Sequence, residues 1–221
     1  RKSINMIAIK LGWEEVGIES VAQTARRMGI QTEIERYPST TIGAVEVIPM
    51  QMAEAYSAFP AMGTKVRPFP IVRVEDATGK VLWEPQPERT QVLDSLVAAV
   101  MVTMLQDVVA RGTGYTAIRI VAGLPREVPA GGKTGTTNDG TDVWFVGFTP
   151  DLLAAVWFGT DRPQPIFKLH RGRQATGGGL AGPVWGRFMK QVYYGSEPGE
   201  GGGAPAEPVL AVPTGWQMPV G

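Results

Sequence analysis

The sequence predicts an α/β domain of the α+β type, a sheet flanked by helices, on three observations. Between residues 131 and 160 the chain spells three successive strands, "GGKTGTT", "DVWFVGFT" and "LLAAVWFGT", with Asn138-Asp139-Gly140 and Pro150-Asp151 as the turn residues between them. The last two runs are apolar on both faces, as in central strands covered by helices on each side. Before and after this block the apolar residues recur at helical spacing.

Taken in chain order, "SINMIAIKLGW" places Ile4, Ile7, Ala8 and Leu11 on one helical stripe, with Gly12 as a stop. "ESVAQTARRMG" is a second short helix with Val21, Ala25 and Met28 on one face and Gly29 closing it. After the turn-rich "RYPSTTIG", Pro49 opens a third helix from a first-turn position, where its missing N–H costs nothing. "PIVRVEDATGKVLWEP" alternates apolar and polar residues on either side of Ala77-Thr78-Gly79 and predicts a β-hairpin. The longest helix is "LDSLVAAVMVTMLQDVVARGTG", with an expected stripe of Leu96, Val100, Met104 and Val108 and with Gly112 and Gly114 ending it. The three strands come next, and "LAGPVWGRFMKQVYY" closes the domain as a helix. Residues 1–194 are therefore expected to form the domain. The Pro/Gly-rich, aperiodic 195–221 segment is expected to be a disordered tail.

Composition narrows the function classes. The 221 residues suffice for one sizeable domain, and 43% apolar with 19% charged residues is ordinary globular usage. A formal net charge of zero argues against a nucleic-acid partner, which calls for a basic excess or stripe. The absence of cysteine excludes thiolate metal sites, a cysteine nucleophile and disulfides. His170 is the only histidine, so a Ser-His-Asp triad would rest on that one residue, in the polar stretch "KLHRGRQ". Nothing in the chain suggests a metal or another cofactor. Arg1 opens in the middle of an amphipathic pattern, with no targeting segment, and the chain is expected to be a piece of a longer protein.

The stretch that demands chemistry is "PAGGKTGTTNDGTDVWFVGFTP". A phosphate-binding loop fits it badly. The glycine such a loop needs five residues before Gly132 is Glu127, and Lys133 leads into a strand rather than a helix N-terminus. The alternative is a strand that presents a cation and hydroxyls to a peptide-like ligand. On that strand Lys133 and Gly135 share one face, and Thr134 and Thr136 share the other. Gly135 would let a foreign backbone approach, so that an extended ligand could add itself along the edge. A solvated lysine that protects an edge strand from aggregation would look the same in isolation.

Lys133-Thr134-Gly135 resembles the third signature of the penicillin-binding proteins and serine β-lactamases, whose other signatures are Ser-x-x-Lys and Ser-x-Asn. The longer runs "GKTGTTNDGTDVWFVGFTPDLLAAVWFG", "GAVEVIPMQMAEAYSAF", "LQDVVARGTG" and "ATGGGLAGPVW" are similar to the transpeptidase domain of class A, bifunctional penicillin-binding proteins. Ser3-Ile4-Asn5 matches the second signature, although Ser3 is also well placed to cap the first helix. The first signature is absent, since no serine here is followed by lysine three residues on.

The resemblance implies a β-lactamase/transpeptidase-like fold whose sheet is antiparallel, with the Lys133 strand at one edge and the N-terminal part of the fold missing. An apolar strand edge and a hollow interior should then be exposed. It implies acyl transfer on peptidoglycan stem peptides ending in D-Ala-D-Ala, through a serine ester that β-lactam antibiotics also form. A chain without that serine would be inactive alone. Ser3 would relay a proton to the leaving nitrogen, and Asn5 would hold the substrate amide. Lys133 would supply positive potential and bond toward Ser3. Thr134, Gly135, Thr136 and Thr137 would line the substrate, with the two hydroxyls of Thr134 and Thr136 on its carboxylate and the Thr136 N–H as an oxyanion donor. The parent protein would be membrane-anchored, carry an upstream glycosyltransferase domain and work on the periplasmic face of a bacterial inner membrane. A D,D-carboxypeptidase or β-lactamase relative, or a penicillin-recognising module without chemistry, would share the same motifs.

Overall fold

The computed structural model describes residues 2–162, 164–166, 168–169, 173–195 and 210–219. The expectation for His170 falls outside them.

Helix α1 (Asn5–Ile9) runs on without a break into a π-turn, Lys10–Glu15. Gly12 therefore does not stop the helix. A Cβ there would lie 2.8 Å from Thr41 Cγ2, so the glycine serves the close approach of the 3-10 turn Pro38–Ile42. The real break is Gly17, at φ 83°. Helix α2 (Ile18–Met28) ends at Gly29, at φ 120°, and buries Ala22 with Ala25 and Met28 against Ala55 of α3 (Pro49–Ser57). Strand β1 (Thr64–Val66) pairs with β4 (Arg89–Gln91), and between them β2 (Val74–Glu75) and β3 (Val81–Trp83) form the expected hairpin. Its turn is held by the Asp76 carboxylate, which accepts from the Thr78 and Lys80 amides at 2.8 and 3.1 Å.

Helix α4 (Ser95–Arg111) is capped by the Asp94 carboxylate, which accepts from the amides of Leu96 and Val97. Of the stripe its spacing suggests, only Val108 is buried. Ala98, Ala99, Val102, Leu105, Val108 and Val109 face inward, whereas Leu96, Val100 and Met104 are 52%, 60% and 57% exposed. The cause lies in the facing strand β5 (Gly131–Thr136), which opens with two glycines. A Cβ on Gly131 would sit 3.3 Å from the Gln106 amide nitrogen, so the glycine lets the helix backbone come close to the strand on that side.

Strands β5, β6 (Val143–Phe148) and β7 (Leu153–Phe158) form one antiparallel sheet in that order, with Lys133 opposite Val146 and Gly135 opposite Trp144. A short pair, β8 (Lys168–Leu169) and β9 (Arg173–Gln174), comes next. The π-turn Gly177–Ala181 then leads into α5 (Gly182–Tyr194). Central strand β6 is sealed on both faces. Phe145 packs on Trp185 of α5, and Phe148 packs on Phe59, Val102 and Leu105. Each such buried side chain contributes about 1.5–3 kcal/mol. The antiparallel α+β arrangement is as expected. Among the described residues β7 lies at an edge and is half-buried, so it is the apolar edge that the resemblance implies and not the covered central strand its apolar run suggests.

Most of the segment expected to be a disordered tail, 196–209, lies outside the described residues, whereas 210–219 lie against the domain. The Leu210 amide donates to Tyr193 O, Val212 packs on the α5 side of the core, and Trp216 meets Phe148 edge-on at 5.8 Å. A few apolar contacts hold a segment that its Pro/Gly content alone would leave free.

Candidate functional site

Strand β5 is positioned from both ends. The loop leading into it is gathered by the Arg119 guanidinium, which donates to the carbonyls of Leu124, Pro125 and Val128. Beyond it the turn to β6 is locked by Thr137. Its hydroxyl pairs with Thr141 Oγ1 at 2.8 Å and accepts from the Asp142 amide at 2.9 Å. Thr137 is thus taken up by the hairpin itself.

The Lys133 ammonium donates to Ser3 Oγ at 2.9 Å and to the Thr134 carbonyl at 2.7 Å, joining positions 130 residues apart in the chain. Ser3 adopts φ 55°, a left-handed conformation rare outside glycine, and the first helix is entered through Ile4 with no side-chain cap. The serine hydroxyl therefore serves Lys133 rather than the helix. Asn5 stands two residues on, exposed, as the first residue of α1.

Burial lowers the pKa of Lys133 from its ordinary value, and among the described residues no carboxylate forms an ion pair with it. A desolvated, unneutralised ammonium beside an open strand edge is a place where an incoming anion gains most.

Across the strand, the Thr136 hydroxyl accepts from the Gly177 amide at 3.0 Å, and Thr134 Oγ1 lies 2.9 Å from Thr113 Oγ1. Gly177 is pressed onto the hairpin, where an added Cβ would overlap Trp144 O and stand 2.5 Å from Gly135 O. A Cβ on Gly135 would come 3.1 Å from that of Trp144, a tight fit within the hairpin. The spacing of the sequence places Lys133, Thr134 and Thr136, and the resemblance adds Ser3. Neither exposes Thr113 and Gly177, whose only local signals are the "GTG" after α4 and the "TGGG" before α5.

Residues 1–190 match the family model described as "Penicillin binding protein transpeptidase domain". Penicillin-binding protein 1A of Aquifex aeolicus is 39% identical over 193 residues, covering 86% of this chain and 24% of its own. The chain thus spans about a quarter of that relative's length. Among solved structures, penicillin-binding protein 1A from Haemophilus influenzae superposes with a TM-score of 0.76 at 24% identity, over 92% of this chain and 35% of that one. The PonA1 protein from Mycobacterium tuberculosis in complex with penicillin V superposes at 0.69 and 23% identity, over 96% and 59%. These structures share the fold. With its helix-flanked antiparallel sheet and a family match over residues 1–190, the chain belongs to the penicillin-binding protein transpeptidase domain family.

Proposed function

We propose that this chain supplies the carboxylate-gripping wall of a peptidoglycan D,D-transpeptidase site, for stem peptides ending in D-Ala-D-Ala and for β-lactams that mimic them. The observation that carries this is the Lys133 ammonium, half-buried with no carboxylate paired to it among the described residues, held on Ser3 and neighboured along β5 by the Thr134 and Thr136 hydroxyls. A peptide's terminal carboxylate laid along that edge replaces lost water with charge-assisted hydrogen bonds.

In the family reaction a serine oxygen attacks the penultimate carbonyl, an ester forms, and the terminal D-alanine leaves with a proton on its nitrogen. Ser3, held on Lys133, would pass that proton, and Asn5 would hold the substrate amide. The Thr136 N–H would face the developing oxyanion, where one donor is worth about 2.7–4 kcal/mol. The attacking serine is a different matter, because none of the 221 residues forms a Ser-x-x-Lys. That absence favours a second statement: the chain by itself binds without acylating. Stem peptides lie outside the cytoplasmic membrane, so the proposed work is extracytoplasmic. Among the described residues no helix is long and apolar enough to cross a membrane.

The test is an NMR titration of the chain with an N-acetyl-D-Ala-D-Ala peptide and with its C-terminal amide. Shifts at Lys133, Thr134 and Thr136 with the acid and weak or absent shifts with the amide are expected. Equal response to both would overturn the proposal. Mass spectrometry after incubation with penicillin should show the unmodified mass, and a stable penicilloyl ester would refute the claim that this chain lacks the nucleophile.

A further inference from the structure

We infer that Thr113 is a positioning residue, which sets the direction of the Thr134 hydroxyl for a ligand carboxylate. The inference rests on the carboxylate-gripping wall proposed above.

Thr113 is the second residue after α4, on a backbone held at both neighbours. The amides of Gly112 and Gly114 both donate to Val108 O, at 3.1 and 3.0 Å, and so bracket it. Gly114 is buried against Phe145, where a Cβ would stand 3.3 Å from the ring. On the other side the Thr113 carbonyl lies 3.0 Å from where Gly178 would carry a Cβ. The exposed Thr113 side chain therefore leaves a fixed anchor, and its Oγ1 is 2.9 Å from Thr134 Oγ1.

Proton bookkeeping gives the pair its direction. A threonine hydroxyl has one hydrogen to give and two lone pairs to receive. At Thr136 the Gly177 N–H occupies a lone pair, which leaves that residue's own hydrogen for a ligand. At Thr134 the matching donor is Thr113. In the empty site either hydroxyl can donate to the other. Once a carboxylate is present, the Thr134 hydrogen gains more from the anion than from a neutral oxygen, so Thr113 becomes the donor and Thr134 the acceptor. The two bonds then polarise one another in series, strengthening the contact to the ligand. Thr113 acts through Thr134 and need not touch the ligand.

The measurement is dissociation constants for N-acetyl-D-Ala-D-Ala and its C-terminal amide, by NMR titration of the whole chain and its variants. Thr113→Val keeps the shape and removes the hydrogen, and should weaken the acid roughly three- to tenfold while leaving the amide unchanged. Thr113→Ser should restore affinity, and the melting temperature should stay with the parent chain. In a Thr134→Val background, Thr113→Val should add nothing further, since its effect runs through Thr134. Undiminished binding of the acid by Thr113→Val would overturn the inference. So would equal losses for acid and amide, or a full additional loss in the Thr134→Val background. The parent chain is the control for the underlying proposal: if it does not prefer the acid, the carboxylate wall itself fails and Thr113 with it.

Discussion

β5 and β7 are the two edges of one sheet, and among the described residues each pairs with β6 alone. They share that geometry and differ in chemistry. β5 reads Gly-Gly-Lys-Thr-Gly-Thr, with a cation and two hydroxyls. β7 reads Leu-Ala-Ala-Val-Trp-Phe, half-buried and without a charge. An unpaired edge is a template for another strand, and charge is the usual guard against indiscriminate pairing. On β5 the guard and the proposed ligand-binding group are the same residue, Lys133. β7 has no such guard, and its side chains suit a lasting apolar contact better than a reversible one. The exposed outer stripes of α1 and α4 add to that unguarded apolar surface, with Ile7 at 56% and Met104 at 57% exposed.

The strongest way to break this contrast is Lys133→Met. It should cost about ten- to hundredfold in affinity for the carboxylate peptide, the range of one or two charge-assisted hydrogen bonds, and erase the preference over the amide. Lys133→Arg should not rescue it, because a planar guanidinium does not occupy an ammonium's place on Ser3. If Lys133→Met binds as the parent does, β5 is merely a guarded edge like many others.

A pH series sharpens the same point through two opposite signs. The folded-state pKa of Lys133 lies below its ordinary 10.5, and the cause is burial. Between that lowered value and the unfolded one, the unfolded chain holds more protons, so stability rises as pH climbs through the window. Carboxylate binding should fall through the same window as the ammonium is lost. Denaturant midpoints and titrations across alkaline pH check both trends, and Lys133→Met should flatten them.

On the other edge, Trp157→Lys places a charge on β7 at a side chain that is 40% exposed. Sedimentation should show less self-association than in the parent chain. The lost bond from Trp157 Nε1 to Asp142, 2.9 Å long, should cost about 0.5–1.5 kcal/mol in stability. Self-association that survives this change would mean that β7 is not the sticky edge. The smallest effect is expected from Ser3→Ala, which removes one partner of Lys133 while leaving the Thr134 carbonyl in place. Binding of the acid should weaken by roughly two- to fivefold, read in the same titration.

Much of the fold is legible in the sequence because its signals are local. Turn residues bracket β6, Pro49 opens α3, and the Asp76–Gly79 turn sets the hairpin, all within a few residues of the structure they cause. α4 departs from its expected stripe because a helix apolar nearly all round offers several, and only the glycine-floored strand opposite decides which is buried. Gly12 departs for a related reason: its partner, Thr41, is distant in sequence. The site divides in the same way. Lys133, Thr134 and Thr136 emerge from a two-residue period. Ser3 is 130 residues from Lys133 and enters only through a resemblance, and Thr113 meets Thr134 through a tertiary turn that no periodicity records.

The docking of Trp216 on Phe148 has a practical side. Anyone shortening this chain for crystals would be tempted to cut after Tyr194, where the last described helix ends. Such a cut would uncover an aromatic ring at the foot of the central strand, and the trimmed product should precipitate more readily than the untrimmed one. An affinity handle belongs beyond Pro219 on a spacer, which leaves the indole in its seat.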